Sequence, residues 1–122
     1  MKSFKHLNAK SVNEACKLLR KYKEKARLIA GGTDLLSILK DRILPEYPEV
    51  LINIKTIPNL NYIKEDKKGL RIGALTLLSD IVKSPLIKER YKVLAEASHS
   101  VASTQIRNMA TLGGNLCQDV RC

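Results

Sequence analysis

Two glycine pairs, far apart in the chain, are the residues here best suited to holding a ligand. The first lies in Leu28-Ile29-Ala30-Gly31-Gly32-Thr33-Asp34-Leu35-Leu36, the second in Ala110-Thr111-Leu112-Gly113-Gly114-Asn115-Leu116. Each sets adjacent glycines beside a hydroxyl residue and an Asp or Asn, where a strand is expected to give way to a loop. Paired glycines let backbone N–H groups approach a ligand with no Cβ in the way. Successive N–H groups turned toward one point make an anion nest. Two nests would suit the two phosphates of a dinucleotide. Neither segment reads GxGxxG or GxxxxGK[ST], which disfavours NAD and ATP.

The polar neighbours divide by charge. Thr33 can offer its hydroxyl and its N–H to phosphate. Asp34 cannot bring its carboxylate there, because like charges repel, and is expected to cap a helix with its N–H left for the ligand. Asn115 reads equally as a turn residue and as an amide donor to a ligand. Arg107 is either a surface charge or a phosphate partner. His6 and His99 have no second ligand at metal spacing and read as structural. No Ser-His-Asp or Cys-His arrangement is evident, and Asp80, Glu89 and Glu96 read as surface residues. Nothing resembles a general acid or base. That suits a protein that positions a bound cofactor and leaves the chemistry to it.

The elements that must hold these segments follow from capping and periodicity. Ser11-Val12-Asn13-Glu14 is a capping box, and Val12, Ala15, Cys16, Leu18 and Leu19 then form one apolar face through about Tyr22. Ala26 to Ala30 reads as a short buried strand leading into the first glycine turn. A short helix from Leu35 follows, with Ile38 and Leu39 inward, until Pro45 and Pro48 end it. Val50 to Ile54 is the next apolar run, which makes a βα unit with a parallel partner strand. Asn61 to Glu65 and Leu70 to Ala74 flank a hairpin turn at Asp66-Lys67-Lys68-Gly69. Leu77 to Val82 and Tyr91 to Val101 read as helices, the second with Val93, Leu94, Ala97 and Val101 inward. Ser103 to Asn108 reads as a polar loop. The chain stops at Cys122, soon after the second glycine segment, which points to a fragment or one piece of a split protein.

With 122 residues the chain suffices for one compact domain or two small lobes. The net charge of +10 raises the question of nucleic acid. Acidic residues interleave with the lysines, however, and the five aromatics do not alternate with basic residues as a stacking platform requires. The charge reads as a solvated surface, or one that meets an acidic partner protein. No apolar run is long enough to span a membrane. The N-terminus lacks a secretory core, which points to the cytoplasm. Three cysteines suit free thiols or metal ligands better than a disulfide framework. Cys16 reads as a small core residue.

At LIAGGTDLL (28–36) and QIRNMATLGGNLCQ (105–118) the chain resembles the N-terminal part of the FAD-binding subunit of molybdenum hydroxylases, the xanthine dehydrogenase, carbon monoxide dehydrogenase and 4-hydroxybenzoyl-CoA reductase type. The resemblance implies an α/β plus α+β fold. A small parallel βαβ lobe, 1–56, would precede the start of a larger mixed or antiparallel sheet lobe, 57–122, in a flavoprotein that binds FAD. It implies cofactor contacts from Leu28, Ile29, Ala30, Gly31, Gly32, Thr33, Asp34 and Leu35, and from Thr111, Leu112, Gly113, Gly114 and Asn115. Val101 stands where some relatives carry a flavin-contacting aromatic. Partners would be a molybdopterin-binding large subunit and an iron–sulfur small subunit, with electrons passing between iron–sulfur clusters and an external carrier. In the 4-hydroxybenzoyl-CoA reductase branch a cysteine at the place of Cys122 opens a loop holding a [4Fe–4S] cluster, so Cys122 is a candidate ligand by the same resemblance. The rival readings are a non-catalytic fragment acting in assembly or binding and, more distantly, a basic nucleic-acid-binding domain.

Overall fold

The computed structural model describes residues 2–119. The chain divides into two compact units, the first ending at Pro58 and the second beginning at Asn59.

The first unit is a three-stranded parallel sheet with helices. β1 (Lys5–Asn8) leads to α1 (Val12–Tyr22), a 3-10 turn at Lys23–Lys25, and β2 (Ala26–Ile29). α2 (Leu35–Asp41) and β3 (Val50–Asn53) follow, and β3 lies in the middle, in the order β1-β3-β2. Leu7 of β1 and Leu28 of β2 both sit opposite Ile52. All four residues of β3 are buried, which is why it reads as an unbroken apolar run. Its one polar residue is satisfied: Asn53 donates from Nδ2 to Asn8 Oδ1 at 2.8 Å and accepts from the Lys55 N–H at 3.1 Å. β2 is an edge strand instead of a buried one, because only Ala26 is buried and Arg27 and Leu28 face solvent.

α1 begins where the capping box places it. The Ser11 hydroxyl accepts from the Glu14 N–H at 3.1 Å, while the Glu14 carboxylate accepts from the Lys10 N–H at 2.7 Å, one residue before the box's usual partner. The buried side of α1 centres on Ala15, Leu18, Leu19 and Tyr22. Val12 and Cys16 lie at its margin and are exposed, so Cys16 is a surface thiol and not a core residue.

The second unit opens with the expected hairpin, β4 (Ile63–Asp66) and β5 (Gly69–Ile72), antiparallel with Asp66 opposite Gly69. Gly69 supplies the left-handed φ of 122°. Five short helices follow: α3 (Leu78–Lys83), α4 (Pro85–Arg90), α5 (Lys92–Ser100), α6 (Thr104–Arg107) and α7 (Leu112–Leu116). Leu78, Ile81, Ile87, Ala95 and Ala110 form the core, with Ile63, Leu70, Ile72 and Leu94 against it. Glu65 ties hairpin to helices, accepting from the Tyr91 hydroxyl at 2.5 Å and from the Arg90 guanidinium.

Three expectations change here. Pro85 stops one helix and starts another, since its missing N–H is no loss at a first helical position and Ser84 caps the new turn. α5 turns Ala95 and Ser98 inward, while Val93 is 79% exposed and Ala97 also faces solvent. Residues 103 to 108 are not a loop: Ser103 accepts from the Ile106 N–H and opens α6.

Candidate functional site

The first glycine segment is an open turn between β2 and α2. Gly32 has φ 75°, so the backbone selects glycine, while a Cβ built there would meet only the movable end of the exposed Leu36 side chain, 3.0 Å away. Among the described residues, none accepts from the backbone N–H groups of Gly31, Gly32 or Thr33. The Gly32 carbonyl is already engaged, accepting from the Leu36 N–H at 3.0 Å. Asp34 occupies the N-cap position of α2 in the right-handed region, and its side chain makes no capping hydrogen bond. The expected carboxylate cap is therefore absent. The helix starts without it because Gly32 and Asp34 carbonyls accept from Leu36 and Ile38, and Ile38 and Leu39 are buried beneath. Leu28 and Leu36 stay exposed beside this turn.

The second glycine segment is built differently. It is no loop: Thr111 caps α7, and Gly113 and Gly114 sit inside that helix. Thr111 is buried and bridges to Leu77. The N–H groups of Leu112, Gly113, Gly114 and Asn115 are engaged within the protein. Leu112 donates to the Thr76 carbonyl at 2.8 Å, Gly113 to the Ala74 carbonyl at 2.9 Å, Gly114 to Thr111 Oγ1 at 3.1 Å and Asn115 to the Thr111 carbonyl at 2.9 Å. An anion nest thus does not form there. Gly113 is required by packing instead, since a Cβ would lie 2.9 Å from the Ala74 oxygen and 3.0 Å from its Cβ. What remains for a ligand is the half-buried Asn115, whose side-chain amide makes no hydrogen bond among the described residues.

Arg107 is a clamp on its own chain. It donates to the carbonyls of Val101 and Ala102 at 2.8 and 3.1 Å and to Thr104 Oγ1 at 3.1 Å. This holds the turn in which Ala102 adopts φ 41°. Its guanidinium is therefore occupied, and neither sequence reading of it described that role. His6 and His99 are both exposed. Among the described residues no group of three or more His, Cys, Asp or Glu is placed to hold a metal ion. Cys117 is an exposed free thiol, and Cys122, the candidate cluster ligand, lies outside the described residues. Sequence reading missed the turn over Gly73-Ala74-Leu75-Thr76, from which the second segment hangs. The signal was there in Gly73, directly after the end of β5 and three residues before Thr76.

The comparisons with known proteins agree with this fold. Residues 2–121 match the model of the FAD binding domain in molybdopterin dehydrogenase. The chain is 41% identical over 117 residues to the nicotinate dehydrogenase FAD-subunit of Eubacterium barkeri, covering 95% of this chain and 39% of that one. It is also 41% identical to the carbon monoxide dehydrogenase medium chain of Hydrogenophaga pseudoflava, covering 93% and 39%. The solved structure of that organism's carbon monoxide dehydrogenase superposes with a TM-score of 0.88 over 94% of this chain and 39% of its own, at 40% identity. Quinoline 2-oxidoreductase from Pseudomonas putida 86 gives 0.86 at 30% identity, over 95% and 40%. The chain spans about two-fifths of the length of these relatives. The first unit is α/β and the second α+β, as in that fold, and the chain belongs to the family of FAD binding domains in molybdopterin dehydrogenases.

Proposed function

We propose that this chain holds FAD within a molybdenum-hydroxylase-type oxidoreductase. There it would carry electrons between iron–sulfur clusters and an external carrier such as NAD. The observation that supports this most directly is the first glycine turn, where Gly32 is left-handed and the N–H groups of Gly31, Gly32 and Thr33 remain available. Consecutive available donors in such a turn suit a phosphate oxygen. FAD, when bound, supplies the exchange of one or two electrons, and the protein supplies position.

In this reading Leu28 to Leu35 form the first contact stretch, with Gly31, Gly32 and Thr33 donating to the pyrophosphate. Thr111 to Asn115 form the second, not as a nest but as a close wall. The Asn115 amide is the polar group it offers. The residues fit the cofactor, because each donor invoked is one the fold leaves without an acceptor. Cys122 as an iron–sulfur ligand is a separate expectation, tested by cluster content after Cys122→Ser.

The implied partners are a molybdopterin-binding large subunit and an iron–sulfur small subunit. The relatives' names, medium chain and FAD-subunit, support a place in such an assembly. Exposed free thiols at Cys16 and Cys117 suit the reducing cytoplasm. No helix among the described residues is long and apolar enough to cross a membrane.

The test is calorimetric titration of the purified chain with FAD, alongside Gly32→Val and Thr33→Val. Saturable binding that both substitutions weaken supports the reading. Equal affinity in all three removes the first turn from the site, and no binding by the unaltered chain overturns cofactor holding by these residues alone.

A further inference from the structure

The second glycine segment is fixed by a turn that lies outside both motifs. Gly73 donates to the Tyr62 carbonyl at 2.9 Å and Leu75 to the Leu60 carbonyl at 2.8 Å, which carries the hairpin ladder past β5. The chain then reverses, with the Thr76 N–H donating back to the Gly73 carbonyl at 3.0 Å. From this turn two carbonyls, Ala74 and Thr76, accept the Gly113 and Leu112 N–H groups and so set where α7 begins.

The Thr76 side chain locks the turn. It is 1% exposed, and its hydroxyl both accepts from the Tyr62 N–H at 3.1 Å and donates to the Tyr62 carbonyl at 3.0 Å. A hydroxyl is the smallest group that can do both. The neighbourhood leaves no slack, since a Cβ on Gly73 would meet the Leu60 oxygen at 2.2 Å. A displacement at Thr76 is therefore passed to α7 through backbone hydrogen bonds.

We propose that Thr76 is a positioning residue for the cofactor: its paired hydrogen bonds to Tyr62 hold the 73–76 turn, and that turn sets the start of α7, which carries the second contact stretch. The proposal rests on the FAD-holding reading above. Thr76 touches no cofactor in it and acts only through Leu112 and Gly113. Valine at this position keeps the shape and loses both hydrogen bonds, whereas serine keeps both.

The experiment compares the unaltered chain with Thr76→Val and Thr76→Ser, each held well below its own unfolding midpoint. Hydrogen exchange is read without FAD, and FAD affinity and the bound-flavin absorption spectrum are read with it. In Thr76→Val, exchange is expected to quicken at Leu112 and Gly113 while Ile81 and Ala95 in the core stay protected. FAD affinity should fall at least about tenfold, the scale of either of the two lost hydrogen bonds alone, with an altered flavin spectrum. Thr76→Ser should restore all three. Unchanged exchange at Leu112 and Gly113 in Thr76→Val overturns the proposal whether or not FAD binds. Quickened exchange with unchanged FAD affinity overturns the cofactor link. Failure of the unaltered chain to bind FAD, with exchange behaving as expected, instead removes the FAD-holding reading and leaves Thr76 as the lock on α7.

Discussion

Gly32 and Gly113 look alike in sequence and do different work. Gly32 sits at φ 75°, where an L side chain strains the backbone by roughly 1–2 kcal/mol. Gly113 has an ordinary φ and is selected by the Ala74 backbone 2.9 Å from where its Cβ would be. Gly32→Ala should therefore lower stability by about 1–2 kcal/mol in urea unfolding and weaken FAD binding as well. Gly113→Ala should cost about 1–3 kcal/mol through overpacking and disturb the second unit even with no ligand present. An equal, ligand-dependent response in both would show that the two glycines share one role. Asn115 offers a cleaner probe of the second stretch. Asn115→Ala should leave unfolding within about 0.5 kcal/mol of the parent while reducing FAD affinity, and calorimetry at one temperature decides it.

At the scale of elements, caps are the most sensitive points. Ser11 accepts the Glu14 N–H, so Ser11→Ala should destabilise the first unit by about 1 kcal/mol, read as a lower urea midpoint with an unchanged slope. Such local signals are why α1, β3, the hairpin and the first glycine turn could be read from sequence. β1 could not, because Lys5-His6-Leu7-Asn8 has only Leu7 to turn inward and pairs solely because β3 offers a free edge. On α5 and at its C-cap, Leu94 and Val101 pack against the core as read from sequence. Ala95 and Ser98, however, are buried where Val93 and Ala97 were expected, because the face is set by packing against α3 and α4. The site was half legible. Its glycines mark both segments, but which N–H groups are already engaged depends on Ala74 and Thr76, whose carbonyls reach α7 only once the chain has folded back.

At the scale of the whole molecule, each unit carries one group that binds its proton more tightly when folded. A hydrogen bond donated to Glu49, and then the Glu49 charge, hold the Lys25 ammonium above its ordinary range. A hydrogen bond to Glu65 does the same for the Tyr91 phenol. Their contributions are fully present below about pH 10 and are lost as the pH rises through the folded values. Melting temperature should thus fall on the alkaline side, and Tyr91→Phe should shrink that fall; a midpoint climbing through this range would contradict the assignment. The contrast between the glycine turns reaches further. Donors at Gly31, Gly32 and Thr33 face no protein acceptor, whereas those at 112 to 115 already have one. In a nitrogen-15 correlation spectrum the first set should shift strongly on adding FAD. The second, which contacts the cofactor without donating to it, should shift less, so that one sample separates donation to the phosphates from mere contact.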